Sequence, residues 1–171
     1  MTVFYEYRLY TGNKVAGDWE YLKGAKLIPP SGEPTIINWH EQHYENGKTK
    51  NDATDGRFKR IVRILKRLRD DMAKEGSPDE RGAAGSIASF LIESLVYNVP
   101  NSNFPLVGGS YYEDVKAVIR SARNATADDA RAKELWEVNG LKRLFAAGQT
   151  WNRQQANAFL THAWRYVNFP E

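Results

Sequence analysis

The chain has 171 residues and a mass of 19.5 kDa, which is the size of one domain. Hydrophobic residues make up 42% of it and aromatic residues 12%, enough for one buried core, so the composition excludes a disordered or collagen-like protein. No apolar run approaches the roughly 18 residues of a membrane span, no secretory signal pattern is present, and the lack of cysteine excludes disulfide scaffolds and thiolate metal sites. We therefore expect residues 1–171 to form a single cytoplasmic domain that does not contact a membrane.

Positive charge is concentrated in one part of the sequence. Residues 48–74 contain ten Lys or Arg and four Asp, a local charge of +6, whereas the whole chain carries +3. The remainder of the chain is therefore negative by three charges. An anionic ligand or partner is expected to bind the basic segment.

Residues 1–50 indicate an extended, loop-rich arm. Strands are predicted over residues 3–10, 19–27 and 35–39, which are rich in aromatic and β-branched side chains. Thr11-Gly12-Asn13 is expected to end the first strand, and Pro29-Pro30-Ser31-Gly32 excludes a helix before the third.

Residues 51–171 indicate a helical bundle. Residues 52–74 have helical periodicity, with one apolar stripe formed by Phe58, Ile61, Val62, Leu65, Leu68 and Met72. A loop is expected over residues 76–85. Further helices are predicted over residues 86–97, 111–123, 127–145 with a break at Gly140, and 153–167. The expected fold class is mainly α within the α+β class: a helical bundle that follows a short N-terminal strand and loop region.

The cations of the helix at 52–74 fall on different faces. At 100° per residue, one flank of the apolar stripe carries Lys59, Arg63 and Lys66, and the surface farther round carries Arg57, Arg60 and Arg67. Arg69 lies within the stripe, so its guanidinium needs a buried carboxylate, an opening or a ligand anion. A solvated basic face with one structural ion pair is the commoner outcome for such a helix, and ligand binding is the alternative.

The helix predicted at 86–97 is apolar on nearly all sides, which indicates a central position in the core. Ser89 and Glu93 interrupt its apolar surface at positions i and i+4, on one face. They either satisfy local groups, with Glu93 paired to Arg69, or line a cleft between this helix and the basic one.

Metal and phosphate-loop motifs are weak in this sequence. His40 and His43 are three residues apart, but spacing supplies no third ligand, so local capping or surface roles are favoured over a metal site. Gly108-Gly109-Ser110 lacks the lysine of a phosphate-binding loop and is interpreted as a loop before a helix. Adjacent aspartates at 70–71 and 128–129 point about 100° apart and do not offer two carboxylates to one ion. The residue pattern alone therefore indicates a helical anion-binding module.

Several stretches are familiar from a known family. They are Ile36-Ile37-Asn38-Trp39, Gln42-His43-Tyr44-Glu45-Asn46-Gly47, residues 57–69, Ser89-Phe90-Leu91-Ile92-Glu93, Asn98-Val99-Pro100, Glu137-Val138-Asn139 and residues 151–169. In these the chain resembles the C-terminal part of bacterial cyclic GMP-AMP synthase-like and oligoadenylate synthase-like nucleotidyltransferases of anti-phage signalling. The resemblance covers nearly the whole chain.

The resemblance implies a nucleotide-holding helical lobe. In the family, a catalytic lobe with a Gly-Ser turn and acidic residues holds two Mg²⁺ ions, and the helical lobe closes the other side of the nucleotide cleft. The resemblance further implies that Lys66 contacts nucleotide phosphates, that Ser89 touches phosphate and that Phe90 stacks on a base. Phe90 offers a plain ring where the family often has a hydrogen-bonding tyrosine. Lys59, Arg63 and Arg69 are further candidates for binding the nucleoside triphosphate.

The metal-binding residues of the family have no counterpart in this sequence. Met1-Thr2-Val3-Phe4 falls at or after the strand that carries the last catalytic carboxylate in the family, no Gly-Ser turn precedes it, and Glu6 cannot replace those groups alone. We therefore expect the chain to be inactive by itself, with Mg²⁺ bound only when a catalytic lobe or partner chain is present. The alternatives are a non-catalytic nucleic-acid- or protein-binding module that uses the helix at 52–74, and a purely structural partner subunit.

Overall fold

The computed structural model describes residues 3–30, 32, 35–104 and 110–170. Its N-terminal part is an antiparallel sheet with the order β1-β2-β3, formed by β1 (Val3–Val15), β2 (Asp18–Ile28) and β3 (Ile36–Asn38). Ala16 and Gly17 join the first two strands in a two-residue turn, and both have the positive φ (51° and 92°) that such hairpin turns require.

Strand β1 continues past the point where the sequence predicted its end. The pairing with β2 shifts register between Tyr10 and Lys14, and Gly12 has a φ of 86° within this irregularity. Thr11-Gly12-Asn13 therefore forms a bulge inside one long strand, because glycine adopts the left-handed conformation that a bulge needs. The prediction that these residues end the strand is wrong.

Helices make up most of the remaining described chain. They are α1 (His40–Asp52), α2 (Arg57–Glu75), α3 (Pro78–Gly85), α4 (Ser89–Tyr97), α5 (Tyr111–Ala125), α6 (Asp129–Ala132) and α7 (Arg153–Tyr166), with a short 3-10 turn at Asn101–Asn103. The predicted fold class, mainly α with a short N-terminal strand region, is confirmed. Among the described residues, no helix combines the length and the apolar character needed to cross a membrane.

The hydrophobic core lies between α2, α4, α5 and α7. The predicted stripe of α2 faces this core: Phe58, Ile61, Val62, Leu65 and Met72 are buried, and Leu68 is partly buried at its margin. Helix α4 contributes Leu91, Ile92, Leu95 and Val96, which confirms its predicted central position. These contacts fix the relative positions of α2 and α4, the two helices that carry the candidate site residues.

Two helices occupy segments that were predicted to be extended or looped. Helix α1 has a polar sequence and buries only Gly47 among its residues, so it lacks the apolar stripe on which the prediction relied. Helix α3 begins at Pro78 after a capping box, in which the Ser77 hydroxyl accepts from the Glu80 N–H and the Glu80 carboxylate accepts from the Ser77 N–H.

The helix predicted over residues 127–145 is wrong beyond Ala132, where α6 ends. The chain then forms turns around a buried Asn139, whose side-chain oxygen accepts from the N–H groups of Leu141 and Lys142. Gly140 has a φ of 69°, which a helix does not accommodate. Local side-chain bonds to the backbone thus replace the helical ones. Of Gly108-Gly109-Ser110, the glycines lie outside the described residues, and Ser110 caps α5 by accepting from the Glu113 N–H.

The sheet is attached to the helices through Trp39. A Cβ atom on Gly24 would lie 2.9 Å from the Trp39 ring, so only glycine allows β2 to pack this closely. The Tyr7 ring contacts the same indole edge-on, with ring centroids 5.6 Å apart. Residues 8–20, at the far end of the hairpin, are exposed.

Candidate functional site

Three helices bring together a carboxylate, an ammonium group and an imidazole. Glu93 on α4 forms an ion pair with Lys66 on α2, at 3.2 Å between Nζ and Oε2, and its other oxygen lies 3.4 Å from the Nε2 atom of His43 on α1. The side chains of Lys66 and Glu93 are 30% and 24% exposed. The cluster is therefore anchored in the protein and still reachable from solvent.

The electrostatic balance of this cluster keeps Glu93 ionised. The hydrogen bond with His43 has the largest effect and lowers the pKa of Glu93 below its ordinary value, and the charge and hydrogen bond of Lys66 lower it further, while burial acts in the opposite direction. Lys66 consequently has a carboxylate partner in the absence of ligand. A phosphate group could replace or share that partner without a large desolvation cost, because the ammonium group is already at the surface.

Aromatic rings extend the cluster on one side. Phe90 lies between His43 and Trp151, with ring centroids 5.4 Å and 5.8 Å apart and interplanar angles of 33° and 32°. The Trp151 indole is held by its Nε1–H, which donates to the carbonyl of Leu144 at 2.9 Å. Three rings in a tilted row form a surface suited to stacking against another planar group.

A cavity of about 280 Å³ opens beside this row of rings. Its lining residues come from β3, α1, α4 and the turn after α6: Asn38, Trp39, His40, His43, Phe90, Glu137 and Asn139. This volume is at the lower end of the roughly 300–1,000 Å³ range of small-molecule sites. The combination of ring faces with a few polar groups is typical of a site for a planar, polar ligand.

A buried carboxylate forms part of the cavity wall. Glu137 is 5% exposed and accepts from the side-chain amides of Asn139 and Gln149, each at 2.6 Å. The Asn46 amide of α1 donates to the Val138 carbonyl at 2.9 Å and ties this turn to the first helix. Because amides hold both carboxylate oxygens, the wall is rigid and polar.

Arg69 does not pair with Glu93, so that prediction is wrong. Its guanidinium donates to the Ser89 hydroxyl at 2.9 Å and to the Ile87 carbonyl at 3.3 Å, and it forms an ion pair with Asp70 at 2.8 Å. Arg69 lies one turn beyond Lys66 on α2 and therefore reaches the start of α4, whereas Glu93 lies one turn farther along α4.

The six candidate residues divide into two groups. Lys66, Ser89, Phe90 and Arg69 lie where α2 meets the first turns of α4, within the contacts just described. Lys59 and Arg63 are exposed on α2 and neither pair with Glu93 nor line the cavity. Two other cations of this helix have structural partners, since Arg57 binds Asp114 and Arg60 donates to the Tyr111 hydroxyl.

Sequence reasoning missed the partners of Phe90 and Glu93. For His43 the sequence pattern favours a capping or surface role over a metal site and does not indicate a contact with Glu93. Within the described ranges no group of three potential metal ligands is found. Trp151 was noted only as the start of a familiar stretch. No local pattern could reveal these contacts, because they join residues that are 50 and 61 positions apart in the chain.

Known proteins match the chain along most of its length. The model of the cGAS/DncV-like nucleotidyltransferase C-terminal helical domain matches residues 45–168. The cyclic dipyrimidine nucleotide synthase CdnE of Legionella pneumophila is 40% identical over 147 residues, which cover 86% of this chain and 46% of that protein. The cyclic UMP-AMP synthase of Rhodothermus marinus is 29% identical over 163 residues, or 95% of this chain and 52% of that protein.

A solved structure shows the same fold. The cyclic dinucleotide synthase CdnE of Elizabethkingia meningoseptica, determined with GTP and Apcpp, superposes with a TM-score of 0.78 and 32% identity over 97% of this chain and 55% of that one. The chain thus spans about half the length of the relatives it matches. The resemblance found in the sequence is confirmed: the chain belongs to the cGAS/DncV-like nucleotidyltransferase family and corresponds to its C-terminal helical domain.

Proposed function

We propose that the chain is the nucleotide-holding lobe of a nucleotidyltransferase that makes a cyclic or linear oligonucleotide second messenger in anti-phage defence. The observation that carries this proposal is the juxtaposition of a reachable ammonium group, Lys66, with the row of rings centred on Phe90. A nucleotide presents the complementary groups, since its phosphates are anionic and its base is planar.

Each contact in the site has a role in this proposal. Lys66 binds a phosphate oxygen and leaves Glu93 to His43, which keeps the carboxylate paired. The Ser89 hydroxyl, oriented by Arg69, binds a second phosphate oxygen, and Phe90 stacks on the base at the mouth of the cavity. The ligand is a nucleoside triphosphate, and support comes from the relatives solved with GTP and Apcpp and with Apcpp and Upnpp.

Bond formation would depend on groups outside the residues described here. Phosphoryl transfer by this class of enzyme uses metal ions to neutralise phosphate charge and align the attacking hydroxyl. We propose that a catalytic lobe supplies the carboxylates that hold Mg²⁺, whereas Lys66, Ser89 and Phe90 orient the nucleotide against them. By itself the chain would bind nucleotide and form no product.

Calorimetric titration with ATP, GTP and UTP in the presence of Mg²⁺ tests the binding role. Lys66→Gln removes the charge and keeps a hydrogen-bonding group beside Glu93, whereas Lys66→Glu would bring two carboxylates together. Lys74→Gln is the matched control, because Lys74 is an exposed cation of the same helix. We expect saturable binding that is weakened at least about tenfold by Lys66→Gln and unchanged by Lys74→Gln.

A second experiment places the chain in a complete enzyme. Residues 1–171 would replace the corresponding half of the Legionella synthase, and product formation would be followed with and without Lys66→Gln. Loss of product in the variant supports the proposal, and equal product refutes the role of Lys66. Binding to long nucleic acid with a steep salt dependence and no preference for triphosphates would instead favour the nucleic-acid-binding alternative.

A further inference from the structure

Helix α5 carries a second group of cations, separate from the cluster around Lys66. Lys116, Arg120 and Arg123 occupy positions i, i+4 and i+7, which places them on one face of the helix. At 1.5 Å per residue the row is about 10 Å long. A single phosphate cannot contact such a row from end to end, whereas a ligand with several phosphates can.

Cation–π contacts hold the two arginines of this row. The guanidinium carbons of Arg120 and Arg123 both lie 5.4 Å from the ring centre of Trp164, a residue of α7 that is only 3% exposed. A cation–π contact of this kind needs no N–H group of the guanidinium as a donor. The arginines are therefore preorganised, and their hydrogen-bonding groups are not consumed by the contact.

The part of the chain that the structure describes offers this row no carboxylate in an ion pair. Within the described ranges, Lys116, Arg120 and Arg123 form no ion pair with Asp or Glu. The aspartates nearest in sequence have other partners: Asp114 binds Arg57, Asp128 binds Arg131, and Asp129 binds Arg153. This differs from Lys66, which has a carboxylate partner of its own.

A cavity of about 260 Å³ lies against the arginines. It is lined by Arg120, Arg123, Asn124, Ala127 and Asn157. The Asn157 amide donates to the Arg123 carbonyl at 3.1 Å and to the Thr126 hydroxyl at 3.0 Å, so the end of α5 is tied to α7 beside the cavity. The concave surface thus combines two guanidinium groups with amide groups on a rigid support.

We propose that this surface is a second anion site, which takes the phosphate groups of a phosphodiester strand or polyphosphate. Guanidinium N–H edges match phosphate oxygens, and the length of the row favours several phosphates over one. The site shares no lining residue with the proposed nucleotide cleft, so it can be tested separately from the role of Lys66.

Binding of a labelled single-stranded 12-nucleotide DNA, of ATP and of inorganic phosphate tests this proposal in separate arms. The variant is Arg120→Gln/Arg123→Gln, and the control is Lys74→Gln/Arg165→Gln, which removes two exposed cations elsewhere. For the strand, we expect the variant to lower the slope of log K against log salt by about 1.4, from about 0.7 per lost contact. In the wild type and in the control, the strand should shift the indole N–H resonance of Trp164, and in the Arg120→Gln/Arg123→Gln variant it should not.

The arms identify the source of the phosphate. Loss of strand binding in the variant, with ATP binding unchanged, assigns a nucleic acid strand; an equal loss for ATP assigns a polyphosphate. Arg120→Lys/Arg123→Lys should fold and retain part of the affinity, which separates binding from the covering of Trp164. An unchanged salt slope in the glutamine variant, or an equal decrease in the control, overturns the proposal. Lys66→Gln should leave this binding unchanged, so a failed cleft and a failed anion site give different results.

Discussion

Two ion pairs on helix α2 have the same chemistry and different surroundings. Arg57 pairs with Asp114 of α5, and Lys66 pairs with Glu93 of α4. The side chains of the first pair are 11% and 0% exposed, whereas those of the second are 30% and 24% exposed. Nine positions along one helix therefore separate a buried pair from one that solvent reaches.

The difference shows how one basic helix can serve both structure and binding. A buried carboxylate that loses its cation has no water to replace it, so the Arg57 pair is part of the architecture. Glu93 has His43 as a second partner, so Lys66 can be drawn to a ligand at small cost. Burial, and not residue type, decides which of the two cations is available.

The largest effect is expected from Arg57→Ala. This substitution leaves Asp114 buried without its guanidinium partner, and we expect the free energy of unfolding to fall by about 3–5 kcal/mol. Urea denaturation followed by circular dichroism measures the change. The double variant Arg57→Met/Asp114→Leu removes both charges and should recover most of the loss. A decrease below about 1 kcal/mol for Arg57→Ala, which is the value typical of a surface ion pair, would erase the contrast between the two pairs.

A smaller effect is expected from Arg69→Ala. In the structure, Arg69 contacts Asp70, Ser89 and the Ile87 carbonyl, and it does not bond to Glu93. Loss of these hydrogen bonds should cost about 1 kcal/mol of unfolding free energy, well below the cost of an orphaned buried charge. Thermal melting measures the difference, and a loss as large as that of Arg57→Ala would show that Arg69 is a buried structural cation after all.

Lys66→Gln should change stability by less than about 1 kcal/mol, because both members of its pair are partly exposed. The same substitution should weaken nucleotide binding, as proposed above. Stability and nucleotide binding should be measured for both variants. Lys66→Gln should lose binding and keep its stability, whereas Arg57→Ala should lose much of its stability. Strong destabilisation by Lys66→Gln would show that the Lys66–Glu93 pair is structural, like the Arg57–Asp114 pair.

The smallest effect concerns pH. The pKa of Glu93 is lower in the folded protein than its ordinary value of 4.5, so the stability it contributes is complete above that value and is lost as pH falls through the folded pKa. We expect the difference in unfolding free energy between the wild type and Glu93→Gln to shrink as the pH falls below 4.5. Glu80 also has a lowered pKa, but it is present in both proteins and its contribution cancels. A difference that grows as the pH falls below 4.5 would contradict the assigned pairing.

The sequence predicted those parts of the fold whose apolar residues are periodic. The stripe of α2 and the apolar helix α4 are examples, since burial requires the periodicity on which the prediction relies. Helix α1 has no such stripe, and α3 was missed although Ser77, Pro78 and Glu80 form a readable capping signal. The turns at 133–145 depend on side-chain bonds of Asn139 and Glu137, which periodicity does not detect.

The candidate site was predictable only in part. Resemblance singled out Lys66, Ser89 and Phe90, and the structure brings them to one junction of α2 and α4. Their partners His43 and Trp151 come from distant segments, and helical spacing left open whether Arg69 pairs with Glu93. Packing between helices sets such contacts, and the angle between two helices cannot be read from either sequence segment.

The contact between Gly24 and Trp39 joins the β1-β2 hairpin to the wall of the cavity. A rotation of the hairpin about this contact would therefore act as a lever with its pivot at Trp39. Trp39 lines the cavity on one side and supports the strand on the other, and seven residue steps lead from Gly24 to Gly17 in the exposed turn of the hairpin. At about 3.3 Å per residue this arm is about 23 Å long, so a rotation of about 10° at the pivot displaces the hairpin tip by about 4 Å. Small changes in the seating of one indole are thereby magnified at a remote part of the surface, where a probe attached to the turn would register them.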